Sequence, residues 1–238
     1  MMNDSEAREH EAQSLQEMLI DITHGLQTPL TIIKGELHFL KRDLPGNKRI
    51  AVCEQMVHDM SFLIYDLLHL ARLDRTNIEH TKTDINLSQL LGAVAEYVLV
   101  LADSKEIQLI TQIEPDIWIQ GIQERIEELI INLVSNSMKY IGENEKKITL
   151  TLIKEDGCAL FTITDTGIGI DPENLPYVFK RFYRVKNRNG ESVKGSGLGL
   201  AIAQKIAEKH SAAIEVESTI GVGTTITVRF AALSANPR

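Results

Sequence analysis

The chain has 238 residues, 43% of them hydrophobic, enough for two modest domains with packed cores. Its formal net charge of −8 leaves no global basic surface, which argues against a nucleic-acid binder. Cys53 and Cys158 lie in unrelated segments without metal-ligand spacing, no apolar run approaches the roughly 18 residues of a membrane span, and the polar stretch from Met1 to Gln16 does not read as a signal peptide.

From about Ser5 to Leu40 the pattern predicts one long helix. Leu15, Leu19, Ile22, Leu26, Pro29, Ile33 and Leu37 or Leu40 recur at alternating steps of four and three, a heptad seam. The cluster Asp43-Leu-Pro-Gly-Asn47 ends it, and a second helix follows with Ile50, Cys53, Val57, Met60, Ile64, Leu67 and Ala71 in the same alternation. Such a hairpin cannot bury its apolar surface alone. Dimerisation into a four-helix bundle is one solution, and docking on a globular part of the same chain is the other. The seam is already running where the sequence begins, so the chain reads as a cytoplasmic piece of a longer protein, touching a membrane only through a segment outside it.

The polar run Arg75 to Asp84 marks a domain boundary. Beyond it the pattern predicts a short strand at 85–87, a helix over 88–104, strands near 107–113 and 117–119, and a helix over 123–140. A hairpin over 147–154 and 158–164 turns at Glu155-Asp-Gly157, and the stretch from Pro172 to Lys194 has no sustained period. A helix from Gly197 to His210 and strands at 213–217 and 225–230 complete the chain. Antiparallel strands mixed with helices imply an α+β sandwich of sheet against helices.

Three stretches carry chemistry. Asn132 and Asn136 follow Glu128 at i+4 and i+8 on one helix face, close to Lys139, among apolar neighbours. Buried amides cost a few kcal/mol without partners; internal hydrogen bonds or a ligand would satisfy them, and amide oxygens suit Mg²⁺ that bridges phosphates. Asp165-Thr-Gly-Ile-Gly-Ile170 follows a strand, and Gly195-Ser-Gly-Leu-Gly-Leu200 opens a helix. Glycines there let backbone N–H groups approach phosphate, although neither spacing is a Walker loop or a dinucleotide fingerprint. Asp165 is either a turn-former or an acceptor for the exocyclic amine of a base. Lys180, Arg181, Arg184, Lys186, Arg188 and Lys194 make a solvated loop or a lid that meets polyphosphate.

Asn132-x-x-x-Asn136-x-x-Lys139-Tyr140, Asp165-x-Gly167-x-Gly169, Phe179-x-x-Phe182, Gly195-x-Gly197-x-Gly199 and Gly221-x-Gly-Thr224 resemble, in order and spacing, the N, G1, F, G2 and G3 boxes of sensor histidine kinases. The resemblance covers about residues 84–231. It implies a Bergerat-type ATP-binding fold, with Asn132 and Asn136 on Mg²⁺–ATP, Lys139 and Tyr140 on phosphate or ribose, and Asp165 reading adenine. Gly167, Gly169 and Ile170 would line the site, with Arg181 and Tyr183 from the basic loop. Gly195, Ser196, Gly197, Leu198, Gly199 and Leu200 would cradle the phosphates, and Thr224 would support Asp165 through water. Upstream, Thr23-His24-Gly25-Leu26-Gln27-Thr28-Pro29-Leu30 resembles the H box of the dimerisation and phosphotransfer domain, usually Ser-His-Glu-Leu-Arg-Thr-Pro-Leu.

The H box departs from the family at positions that matter to the chemistry: the acidic residue after the histidine is Gly25, and the usual Arg is Gln27. Loss of a general base typically costs about 10²–10⁴-fold in rate. Asp21, at i−3 from His24, lies where the leaning imidazole could use it instead, and Thr28 retains the position that orients a hydrolytic water in relatives. The other histidines (His10, His38, His58, His69, His80, His210) read as surface or packing residues.

The expected organisation is a signalling helix over 1–20, a dimerisation and phosphotransfer domain over 21–76, and an ATP-binding domain over 84–232. The expected activity is autophosphorylation of His24 from Mg²⁺–ATP, then transfer to an aspartate of a response-regulator receiver domain, with phosphatase activity beside it. The alternative is a kinase-impaired phosphatase or scaffold that binds ATP and a response regulator. A third reading, an ATPase that its hairpin only dimerises, does not use the H box.

Overall fold

A computed structural model describes residues 4–75, 82–142, 145–185 and 196–234; the side chains of residues 4–21, 23–24, 62, 65 and 68–75 lie outside that description. The chain divides into two compact units, Met1–Thr76 and Asn77–Arg238.

The first unit is a helical hairpin of α1 (Asp4–Asp43) and α2 (Lys48–Arg75). Gly46, at φ +82°, turns the chain between them, where a residue with a Cβ would be strained. The Asn47 carboxamide oxygen accepts the Arg49 N–H at 3.0 Å as α2 begins. Leu30 and Leu37 pack with Ile50, Val57 and Ile64 as one buried cluster. Lys41 pairs with Glu54 at 2.8 Å beside them. The two heptad seams read from the sequence are therefore each divided. Ile22, Leu26 and Ile33 of the α1 seam and Met60 of the α2 seam stay exposed, because a hairpin offers each helix only one facing neighbour.

The second unit opens with β1 (Thr83–Asn86) and α3 (Leu87–Asp103). The Asn86 side chain accepts the Gln89 N–H at 3.0 Å, so the helix starts one residue before the expected Ser88. Then come β2 (Gln108–Ile113), β3 (Trp118–Gly121), α4 (Gln123–Lys139), β4 (Lys147–Glu155), β5 (Cys158–Asp165), α5 (Gly199–Lys209), β6 (Ala213–Thr219) and β7 (Gly223–Ala231). The turn between β4 and β5 places Asp156 at φ +49° and Gly157 at φ +74°, the paired positive angles of a tight hairpin.

The main sheet runs β2-β4-β5-β7-β6, and β1 pairs with β3 apart from it. The sheet is not antiparallel throughout, as the strand pattern suggested: β2 and β4 run parallel. The connection between them passes through α4, and a helical crossover returns the chain to the end from which it started. Ala159, Phe161 and Ile163 alternate along central β5 and lie opposite Phe230, Val228 and Ile226 of β7; all six are buried. On the other face Thr162 and Thr164 meet Thr227 and Thr225 through their hydroxyls, so the sheet is apolar toward α3, α4 and α5 and polar outward. The α+β sandwich of the sequence reading is the observed architecture.

Candidate functional site

Asp165 is the next residue of the β5 stripe after Ala159, Phe161 and Ile163, so the register that builds the core also turns this carboxylate inward. It is buried, at 6% exposure. One oxygen, Oδ1, accepts the Gly167 N–H at 2.9 Å and the Thr224 N–H at 3.2 Å. Burial pushes the carboxyl above its ordinary pKa, while the hydrogen bonds from Gly167, Ser137 and Thr224 hold it down in part. The glycines around it allow a close approach. A Cβ on Gly169, at φ +69°, would overlap the Thr219 carbonyl, and one on Gly223 would overlap the carbonyl of Asp165 itself.

On α4 the apolar stripe Ile126, Leu129, Ile130, Leu133 and Val134 faces the core. Asn132 and Asn136 sit at its edge, partly exposed. Asn132 donates its amide to the Glu128 carbonyl at 3.1 Å, but the buried Asn136 Nδ2 has no hydrogen-bond partner among the described residues. A Cβ on Gly199, the first residue of α5, would lie 3.3 Å from Asn132 Oδ1 and 3.5 Å from Asn136 Nδ2. Glycine thus brings the start of α5 against the amide pair and leaves a cradle that a side chain would fill. An orphaned buried amide facing such a cradle fits a group supplied from outside.

Asn136, Tyr140, Asp165, Gly169, Ile170, Tyr183, Leu200 and Thr224, all expected site residues, line one open pocket. Asn132, Lys139, Gly167, Arg181, Ser196, Gly197, Leu198 and Gly199 stand outside that lining. Lys139 is half-buried, and its ammonium lies 5.0 Å from the centre of the Tyr140 ring. Burial, and then the Arg184 charge, lower its pKa, whereas burial raises that of the Tyr140 phenol. Arg181 is exposed, and Leu198 is fully buried in the core. The Ser196 hydroxyl accepts the Leu198 N–H at 3.1 Å. Gly197, at φ +72°, accepts the Phe182 N–H at 3.0 Å, fastening the start of the basic loop to the second glycine turn. Tyr183 donates to Asn174 Oδ1 at 2.6 Å. Gly195, Lys186, Arg188, Lys194 and the side chains of Asp21 and His24 lie outside the described residues. Thr28 is exposed on α1.

Sequence reasoning passed over Ser137, Ile168, Val178, Val185, Ser218 and Ile226. Two of them left a signal. Ser137 continues the α4 stripe after Ile130 and Val134, and Ser218 continues the β6 alternation of Ile214 and Val216. A polar residue in an apolar slot needs a buried partner. Ser137 has Asp165, and Ser218 holds the loops behind it.

Residues 121–233 match the family described as "Histidine kinase-, DNA gyrase B-, and HSP90-like ATPase", and residues 14–76 match "His Kinase A (phospho-acceptor) domain". The phosphate regulon sensor protein PhoR of Pseudomonas aeruginosa is 30% identical over 94% of this chain and 52% of its own length. Sensor histidine kinase YkoH of Bacillus subtilis is 32% identical over 90% of this chain and 47% of its own. The chain thus spans about half the length of the curated relatives it matches. Among solved structures, full-length ShkA in complex with AMPPNP shares the fold, with a TM-score of 0.74 at 24% identity over 93% of this chain and 47% of that one. The mycobacterial sensor histidine kinase MprB gives a TM-score of 0.55 at 25% identity over 64% of this chain and 98% of that one.

Proposed function

Since this chain belongs to the two-component sensor histidine kinases, we propose that it transfers the γ-phosphoryl group of ATP to a ring nitrogen of His24 and passes it to an aspartate of a response regulator. The observation that carries the reading is the meeting of the Asn136 amide, the Asp165 carboxylate and the Gly199 cradle, three motifs far apart in sequence, at one end of the sheet. The units would serve as a phosphotransfer domain over 21–76, after a signalling helix over 1–20, and an ATP-binding domain over 84–232.

Asp165 would accept the exocyclic amine of adenine, with Ile168, Ile170 and Ile226 as apolar walls for the base. Asn132 and Asn136 would hold Mg²⁺, which supplies charge neutralisation on the phosphates. Tyr140 would contact ribose or phosphate, with Lys139 beside it and Arg181 and Tyr183 reaching in from the basic loop. Ser196, Gly197, Gly199 and Leu200, after Gly195, would present backbone N–H groups to the phosphates at the start of α5. For such a transfer the protein's contribution is positioning and charge stabilisation. Thr28 would orient water for dephosphorylation. Homodimerisation would cover the apolar positions that the hairpin leaves exposed.

A second reading, a kinase-impaired phosphatase or scaffold, is favoured by Gly25. That residue is exposed, and a Cβ there meets nothing within 4 Å among the described residues, so packing against them does not require glycine. The experiment is incubation with Mg²⁺ and γ-labelled ATP, scoring acid-labile phosphate on wild type, His24→Ala and Gly25→Glu. Label on the wild type that His24→Ala abolishes supports the kinase. Label only on Gly25→Glu, at a rate raised by about 10²–10⁴-fold, supports the impaired reading. Label that survives His24→Ala sinks both.

A further inference from the structure

Behind Asp165, at the end of the β6–β7 hairpin, Ser218 Oγ takes part in three hydrogen bonds. The Ile170 N–H donates to it at 2.8 Å, it donates to the Gly223 carbonyl at 2.8 Å, and the Thr224 hydroxyl lies 2.8 Å away. A serine hydroxyl has one proton and two acceptor positions. The Ile170 N–H can only donate and the Gly223 carbonyl can only accept, so the Ser218 proton goes to Gly223. The contact with Thr224 is then satisfied only if Thr224 donates. Thr224 lines the nucleotide pocket, and with its proton held by Ser218 its hydroxyl can offer a ligand nothing but acceptor capacity.

We propose that Ser218 is a specificity-determining positioning residue: by holding the Thr224 proton it makes the base-reading corner acceptor-only, selecting a purine with a 6-amino group over one with a 6-oxo group. This rests on the reading of Asp165 as the residue that meets the base. Asp165 accepts, as does Thr224 under Ser218, so an exocyclic amine finds acceptors where a carbonyl finds opposing lone pairs. A site built to hydrogen-bond one group rejects an analogue that leaves its polar atoms unpaired. Ser218 itself is backed by the glycine turn, since the Gly221 N–H donates to the Ile168 carbonyl at 2.9 Å and keeps the hairpin against residues 168–170.

The test is calorimetric titration of the whole chain with Mg²⁺–ADP and Mg²⁺–GDP, for wild type, Ser218→Ala, Ser218→Thr and Thr224→Val. Ser218→Ala frees the Thr224 hydroxyl to rotate and donate, so the preference for ADP over GDP is expected to fall about tenfold, without a parallel loss of GDP affinity. Ser218→Thr keeps the hydroxyl and the wild-type ratio. Thr224→Val leaves the Ile170 anchor intact and lowers the ratio as Ser218→Ala does, which keeps the test decisive if Ser218→Ala does not fold. Equal losses for both nucleotides in Ser218→Ala, an unchanged ratio in Thr224→Val, or a wild type without preference overturns the inference while leaving a nucleotide site. A wild type that binds no ADP overturns the site reading and this one with it.

Discussion

The two units solve the burial problem in opposite ways. In Asn77–Arg238 the helices and the main sheet close on each other, and Phe161, Leu129, Leu133, Ile148, Leu150 and Leu152 have no exposure at all. In the hairpin five residues (Leu30, Leu37, Ile50, Val57 and Ile64) form the buried cluster, while Ile22, Leu26, Ile33, Leu40, Met56 and Met60 remain between 45% and 62% exposed. A sheet covered on one face by a layer of three helices gives its apolar side chains enough neighbours to complete a core, and two helices alone do not. The difference matches the work each unit is proposed to do: a rigid frame holds a nucleotide, and an incomplete bundle recruits a second copy.

Breaking the closed unit carries the largest expected effect. Phe161→Ala removes a fully buried ring from the central strand and is expected to cost about 3–5 kcal/mol, read by chemical denaturation, with ADP binding lost as the sheet that carries Asp165 loosens. An effect below 1 kcal/mol in that experiment would mean that the core is not organised around β5.

The hairpin responds to the opposite kind of change. Ile33→Glu replaces an exposed residue and should hardly disturb a monomeric hairpin, yet it places charge in the proposed dimer seam. Sedimentation should show a wild-type dimer and a mutant monomer, and the hairpin's melting midpoint should lose its dependence on protein concentration. A mutant that sediments like the wild type would leave that face without a partner.

A smaller effect sharpens the comparison from within the closed unit. His210 is buried at the end of α5; its Nδ1 lies 2.8 Å from the Ile206 carbonyl and its Nε2 accepts the Ile122 N–H at 3.1 Å, where α4 begins. Accepting at one nitrogen and donating at the other requires the neutral ring. Burial lowers its pKa, the Ile206 carbonyl opposes this, and Lys82 and Arg125 lower it further. The unfolded chain therefore binds this proton more readily than the folded one. Stability is expected to fall as pH drops through the ordinary imidazole range near about 6.5 toward the lower folded value, by at most about 1.4 kcal/mol per pH unit. His210→Asn should flatten that slope in the second unit, as denaturation at a series of pH values would read. An equal slope in the mutant would assign the titration elsewhere.

Local periodicity determined much of this protein. The three-four alternation of α1 and α2, the i, i+4 asparagines of α4 and the period of two along β5 each follow from geometry that a helix or strand imposes on its own residues. The candidate site was legible to the same extent, because its asparagines and glycine turns lie in short stretches whose spacing is itself the signal. Tertiary structure alone decided which half of the hairpin seams is buried, that β2 runs parallel to β4, and that Gly199 lies against Asn132 and Asn136. Ser137 and Ser218 stood in apolar slots of their own periodic patterns, so their oddity was visible, but their partners were not. Asp165, Thr224 and Ile170 come within hydrogen-bond reach of them only when strands and helices distant in sequence are brought together, and no local pattern encodes which hydroxyl then holds which proton.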